Sequence, residues 1–215
     1  MKFAISYSSG KDSALALWRM VKEGHEPVCM LVTFNDEAKR SWFHGINLEL
    51  LTAVSQNMAI PLIECHTSGE NYHLGLEGGL RQAVKMGAES CVFGDIDIEE
   101  HLKWNEDRCA NAGLKCIMPL WKESREVLVG EVLDAGFKAV VKCVESKWLG
   151  DEFLGKVLDM DLVERIRETG ADICGENGEY HTFVFDGPTF HTPVNIRLGE
   201  IIDFDTHSVI DVRLK

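Results

Sequence analysis

The chain has 215 residues, 45% of them apolar and 27% charged, and a formal net charge of −13 from 22 Lys and Arg against 35 Asp and Glu. Those proportions are ordinary for a globular protein and exclude a disordered, collagen-like or low-complexity chain, while the length predicts one large domain or one domain with a small appendage. No run of Lys or Arg interrupts the acidic balance, so stable binding to nucleic acid or to an anionic membrane is not expected.

In chain order, the short apolar run at 3–5 predicts a first strand that ends in Ser6-Tyr7-Ser8-Ser9-Gly10. A helix follows, with Ala14, Leu15, Trp18 and Val21 on one side and Gly24 closing it. Apolar runs at 29–34, 61–65 and 91–93 predict the next three strands, and helical patterns at 45–58 and 74–86 separate them. Ile98, Leu102, Cys109 and Ala112 share one face of a helix over 98–112. A further helix over 123–135 and an apolar run at 139–144 predict a fifth strand. This alternation predicts an α/β fold, a parallel five-stranded sheet with helices on both faces. The end differs: one helix around Leu158, Leu162 and Ile166 precedes short strands at 182–185, 201–204 and 209–214. An α/β domain over 1–145 and a small C-terminal α+β domain over 146–215 are therefore expected.

The seven cysteines are Cys29, Cys65, Cys91, Cys109, Cys116, Cys143 and Cys174. Their number is odd and no pair has CxxC spacing, which predicts buried, reduced thiols and a cytoplasmic protein. The N-terminus has no long apolar leader pattern, and no run of about 18 apolar residues predicts a membrane span.

The densest motif is Ser8-Ser9-Gly10-Lys11-Asp12-Ser13, between the first strand and the first helix. In an open parallel sheet this is where ligands bind, and a helix N-terminus offers free N–H groups to an anion. Gly10 allows close backbone approach, while the serine hydroxyls and Lys11 add donors. Asp12 repels phosphate unless a divalent cation lies between them. Capping a helix would require one such residue rather than six. A Walker A loop is excluded because Ile5 stands at its first glycine and Asp12 follows Lys11; no GxGxxG occurs.

Two further segments carry chemistry. Gly94-Asp95-Ile96-Asp97-Ile98-Glu99-Glu100 follows the fourth strand, where Asp95 is placed to share a magnesium ion with Asp12. Gly175-Glu176-Asn177-Gly178-Glu179-Tyr180-His181-Thr182 presents carboxylates, an amide, an imidazole and hydroxyls just before a strand, as a polar binding or proton-transfer loop does. Trp104 lies off the apolar face of its helix and is expected to mark an interface.

The Ser8–Ser13 motif resembles the PP-loop of the ATP-pyrophosphatase superfamily, with Ser9 at the usual first glycine. Together with Phe43-His44, Gly94-Asp95-Ile96, Pro119-Leu120-Trp121, Leu154-Gly155, the segment at 175–182 and Asp186-Gly187-Pro188, it makes the chain resemble the diphthine–ammonia ligase (diphthamide synthase-type) family. Asn177 replaces a usual glycine of that family, and His181 a usual glutamate. The resemblance implies a HUP-like ATP-binding domain and a ligase that adenylates a carboxylate, releases pyrophosphate and transfers ammonia to form an amide. It implies ATP contacts from Ser8, Ser9, Gly10, Lys11, Asp12, Ser13, Thr33, His44 and Gly94. It implies catalytic roles for Lys11, Asp12, Glu176 and Glu179, and acceptor contacts from Glu176, Asn177, Glu179, Tyr180, His181 and Thr182. The cofactors implied are ATP and Mg2+, the latter on Asp12 and Asp95. The partners are ammonia and either an elongation factor 2-like protein bearing diphthine or a small carboxylate; a homodimer is permitted. Trp148 or Tyr180 would face the quaternary ammonium of diphthine. A non-catalytic adenine-nucleotide-binding protein, or a PP-loop enzyme acting on a different acceptor, are the alternatives.

Overall fold

Alternate residues of the central strands feed two separate cores. In the computed structural model, residues 1–42 and 44–215 are described, and Phe43 of the family pattern lies outside the described residues. Strand β1 (Lys2–Ser6) pairs in parallel with β2 (Glu26–Asn35) on one side and β5 (Ser90–Val92) on the other. β4 (Leu62–Thr67) pairs in parallel outside β2, β6 (Lys115–Ile117) in parallel outside β5, and the two-residue β3 (Arg40–Ser41) antiparallel with the end of β2.

Phe3, Ile5, Met30 and Val32 point to one side, where α1 (Lys11–Lys22), α2 (Leu48–Met58) and α5 (Arg125–Asp134) bury their apolar faces. Ala4, Cys29, Leu31, Cys91 and Phe93 point to the other, against Leu76 and Leu80 of α3 (Tyr72–Lys85) and Cys109 of α4 (Glu99–Ala112). This period of two is what a sheet covered on both faces requires. Side-chain caps set several helix starts. Asn47 accepts from Leu50 N at 2.9 Å, Ser124 from Val127 N at 3.3 Å, and Asp159 from Leu162 N at 2.8 Å ahead of α6 (Met160–Glu168). The Asn47 cap starts α2 three residues later than the helical pattern at 45–58 predicts.

A second, antiparallel sheet has the order β8 (Tyr180–Asp186), β7 (Lys138–Glu145), β10 (His207–Leu214), β9 (Ile196–Asp203). The α/β class with a small C-terminal α+β part stands, and one strand changes sheet. The segment at 139–144, expected as the fifth parallel strand, is the interior strand β7 of the second sheet; β6 is the fifth parallel strand. The reason is physical. β7 is buried between β8 and β10 and so has the continuous apolar run of a central parallel strand. β6 is three residues long and begins at an exposed lysine, which leaves no such run. The change of sheet falls between Ile117 and Lys138, ahead of the expected 145/146 division. The sheets meet at the loop between β1 and α1, where Val184 N of β8 donates to Ser9 O at 2.8 Å.

Candidate nucleotide and acceptor site

The loop between β1 and α1 is built around an unusual backbone. Ser9 has φ +68, the left-handed region that glycine adopts without cost, which accounts for the usual glycine at this place in the motif. Its side chain is fully buried and its Oγ has no hydrogen-bond partner. Gly10 caps α1 with its backbone alone, and a Cβ there would collide with Cε1 of His44. Gly94, after β5, is equally constrained: its Cβ would lie 2.8 Å from Asp12 C and Ser13 N. Three segments thus converge on the first turn of α1, the part of a helix whose N–H groups lack intrahelical acceptors.

Lys11 is 3% exposed, and its backbone N donates to Thr182 Oγ1 at 3.0 Å. Its ammonium donates to Asp12 Oδ2 at 2.8 Å and to the carbonyl of Cys174. Burial would lower its pKa, but Asp12, Tyr180 and Cys174 outweigh that and hold it above the ordinary lysine range. The expected phosphate lysine is therefore engaged within the protein.

The site opens into a cavity of about 490 Å³, within the usual range for a ligand pocket. Ser8, Lys11, Asp12 and Ser13 line it, as do Thr33, His44, Gly94, Asp95, Glu176, Tyr180, His181 and Thr182. Ser9, Gly10, Asn177 and Glu179 do not. The cavity's apolar lining, unforeseen from sequence, includes Trp42, Tyr72, Leu76, Phe93 and Trp104. Tyr72 stands edge-on to Trp42 at 5.8 Å and lies 5.7 Å from Trp104. Trp104, expected at an interface, is off its helix's buried stripe because it faces this cavity. Thr33 Oγ1 lies 3.2 Å from Tyr72 OH, at the end of β2.

The segment at 175–182 divides into two functions. Glu176 faces the cavity and accepts from Ile96 N at 2.8 Å. Burial raises its pKa to about 7, with Asp12 and Asp95 also pushing it up. Glu179 is 4% exposed and braces its own loop, accepting from Asn177 N at 3.1 Å, Asn177 Nδ2 at 3.2 Å and Asp172 N at 3.4 Å. Its expected catalytic role finds no contact with the cavity, because all these bonds turn the carboxylate inward. Tyr180 OH donates to Ile173 O at 2.6 Å, and the Tyr180 ring lies 5.2 Å from Lys11 Nζ. His44 and His181 lie 4.7 Å apart, with His44 Nδ1 2.9 Å from Thr182 O. Because that carbonyl only accepts, His44 Nδ1 carries the proton. Burial lowers both imidazoles, His181 to about 4, so both are neutral near pH 7.

Among the described residues no group of three or more His, Cys, Asp or Glu side chains is placed to hold a metal. Asp95 is engaged by His101 Nδ1 at 2.9 Å and Asn105 Nδ2 at 3.1 Å, and Asp12 by Lys11. Arg125 clamps the neighbouring loops, donating to Asp97 at 2.8 and 3.0 Å and to Asp172 at 2.9 Å. Trp148 is not a cavity residue, and Lys147 Nζ lies 4.6 Å from its ring. All seven cysteines are free. No helix among the described residues is long and apolar enough to cross a membrane.

Comparisons with known proteins agree with the two-sheet division. The family model described as the diphthamide synthase N-terminal domain matches residues 1–116, and that of the diphthamide synthase C-terminal domain matches 124–214. The bovine protein named diphthine–ammonia ligase is 26% identical over 97% of this chain and 86% of its own length. The human protein of that name is 25% identical over 94% and 85%. The Schizosaccharomyces pombe protein of that name is 24% identical over the whole chain and 39% of its own. A solved structure described as a predicted subunit of tRNA methyltransferase from Methanocaldococcus jannaschii superposes with a TM-score of 0.47 at 11% identity, covering 87% of this chain and 98% of the other. With both family models matched, end to end and in order, the chain belongs to the diphthamide synthase family.

Proposed function

We propose that the protein is an ATP-dependent amide ligase that adenylates a carboxylate, releases pyrophosphate and transfers ammonia, as a diphthine–ammonia ligase does. The observation that carries this reading is Glu176 facing the same cavity as the first turn of α1. The triphosphate lies on the N–H groups of that turn and adenine on the Trp42–Tyr72–Trp104 wall. The acceptor carboxylate attacks the α-phosphorus, breaking its bond to the β-phosphate bridging oxygen, and pyrophosphate leaves. Ammonia then attacks the acyl carbon, the C–O bond to AMP breaks, and Glu176 takes the surplus proton from nitrogen. A carboxyl that titrates near 7 suits that task.

Magnesium is bound through one or two carboxylates together with substrate phosphates. Asp12, in the first turn of α1, is the carboxylate proposed for an ATP-borne Mg2+; Asp95, held by His101 and Asn105, is not. The acceptor proposed is diphthine on an elongation factor 2-like protein, supported by the names of the relatives, and a small carboxylate is the competing outcome. Free cysteines support a cytoplasmic setting. A homodimer is proposed through edge strand β9, where Leu198, Ile201 and Ile202 are exposed; light scattering reads it.

The test is incubation with α-labelled ATP, magnesium, ammonium and the candidate acceptor. AMP is expected, and it disappears in Asp12→Asn. ADP in place of AMP refutes the reading.

A further inference from the structure

Lys11 is the single Lys or Arg among the described residues that line the cavity, and its ammonium is held by Asp12 and the Cys174 carbonyl. A site for a triphosphate therefore lacks a free cation in its own wall. One lies just behind it. Lys142 of β7 is 2% exposed and has no hydrogen-bond or ion-pair partner among the described residues. A lysine this deeply buried whose ammonium has no protein partner is costly unless solvent or a ligand completes it.

Its placement is specific. Val141 pairs with Thr182 and Cys143 with His181, so Lys142 is the extra residue of a bulge opposite two of the cavity residues of β8. Bulges re-aim side chains and recur beside active sites. Lys142 Nζ would lie 3.6 Å from a Cβ on Gly45, the residue after His44, and His44 in turn contacts Gly10 of the phosphate loop. The nearby acid, Asp211, is already shared by Arg40 at 3.6 Å and Arg213.

We propose that Lys142 is the anion-binding residue for the terminal phosphates of the nucleotide, and so for the leaving pyrophosphate, supplying beside His44 and His181 the positive charge that Lys11 withholds. This inference rests on the reading of the cavity as an ATP site. It agrees with the effect of burial and of Arg40, which lower the Lys142 pKa to about 8 and which an arriving anion would reverse.

The experiment measures binding of inorganic pyrophosphate, ATP and AMP by calorimetry to the unaltered protein, Lys142→Met and Lys142→Arg. Lys142→Met is expected to weaken pyrophosphate and ATP at least tenfold and AMP less than twofold, with Lys142→Arg recovering most of the loss. Equal weakening of AMP means a structural role for Lys142 and overturns the proposal, as does unchanged pyrophosphate affinity. A second measurement needs no variant: acetylation of Lys142 by acetic anhydride, followed by mass spectrometry, is expected to slow severalfold with pyrophosphate present. Protection by acetate but not by pyrophosphate assigns the site to an acceptor carboxylate and overturns it. Should the unaltered protein bind no ATP at all, the ATP-site reading fails as well; ATP binding with an indifferent Lys142→Met removes Lys142 alone.

Discussion

The Lys11 ammonium donates to the carbonyl of Cys174, 163 residues further along the chain, and to the adjacent Asp12 carboxylate at 2.8 Å. One buried cation thus ties the start of α1 to the loop that carries Glu176. Lys11→Met leaves the Asp12 carboxylate and the Cys174 carbonyl without their donor. Removing one partner of a buried ion pair costs about 3 kcal/mol or more, and that loss is expected in urea unfolding. Nucleotide binding should fall with it, because the loop at 175–182 loses its anchor.

Glu176 predicts two pH effects. Its pKa is raised from 4.5 to about 7, chiefly by burial. At constant free ammonia, AMP formation should rise with pH through about 7, and Glu176→Gln should flatten that rise. Stability moves oppositely. Between 4.5 and about 7 the folded protein holds a proton that the unfolded chain has released, so this contribution to stability falls as pH rises across that window. Comparing melting temperatures of the two proteins from pH 4 to 9 checks it; parallel curves would remove Glu176 as the titrating group.

His181 has the opposite sign. Burial, then Lys11 and Lys142, lower its pKa from 6.5 to about 4. In that window the unfolded chain binds a proton that the folded protein refuses, so stability is lost as pH falls from 6.5 towards 4. His181→Gln should reduce the acid sensitivity of the melting temperature over this range, with His44 supplying a residual slope of the same sign.

Gly94 tests how closely the end of β5 must approach the first turn of α1. Its Cβ would meet Asp12 C and Ser13 N at 2.8 Å, and these are backbone atoms that cannot rotate away. Gly94→Ala is expected to cost about 1–3 kcal/mol of stability and to lower ATP affinity more than tenfold by displacing the first turn of α1. Gly78, with open space around it, is the control: Gly78→Ala in α3 should be neutral or stabilising.

What the sequence made legible depended on local signals. The loop between β1 and α1 stood out because six chemically loaded residues stand at one strand–helix junction, and caps such as Asn47 and Ser124 refine helix boundaries only once their bonds are seen. β7 misled because burial between two antiparallel neighbours produces the same apolar run as burial in a parallel sheet. Glu176 and Glu179 look equivalent three residues apart, yet one faces the cavity and the other binds its own loop. Trp42, Tyr72 and Trp104 come from the β3 end, α3 and α4, so no spacing links them. Lys142 carries no motif; only the bulge and the missing partner single it out.

Ser9 gives the last prediction. It stands where related loops have glycine, at φ +68, with a buried hydroxyl that finds no partner. A non-glycine residue in the left-handed region costs about 1 kcal/mol or more, and an unsatisfied buried hydroxyl adds to that. Ser9→Gly removes both costs but restores backbone freedom to the unfolded chain, an opposing effect of about 0.4–1 kcal/mol. A net stabilisation of about 1 kcal/mol is expected in urea unfolding, with the Ser9 carbonyl still accepting from Val184 N. Destabilisation would mean that the hydroxyl has a partner in solution. Reduced AMP formation by a stable Ser9→Gly protein would mean that the rigid left-handed backbone at this position serves activity rather than stability.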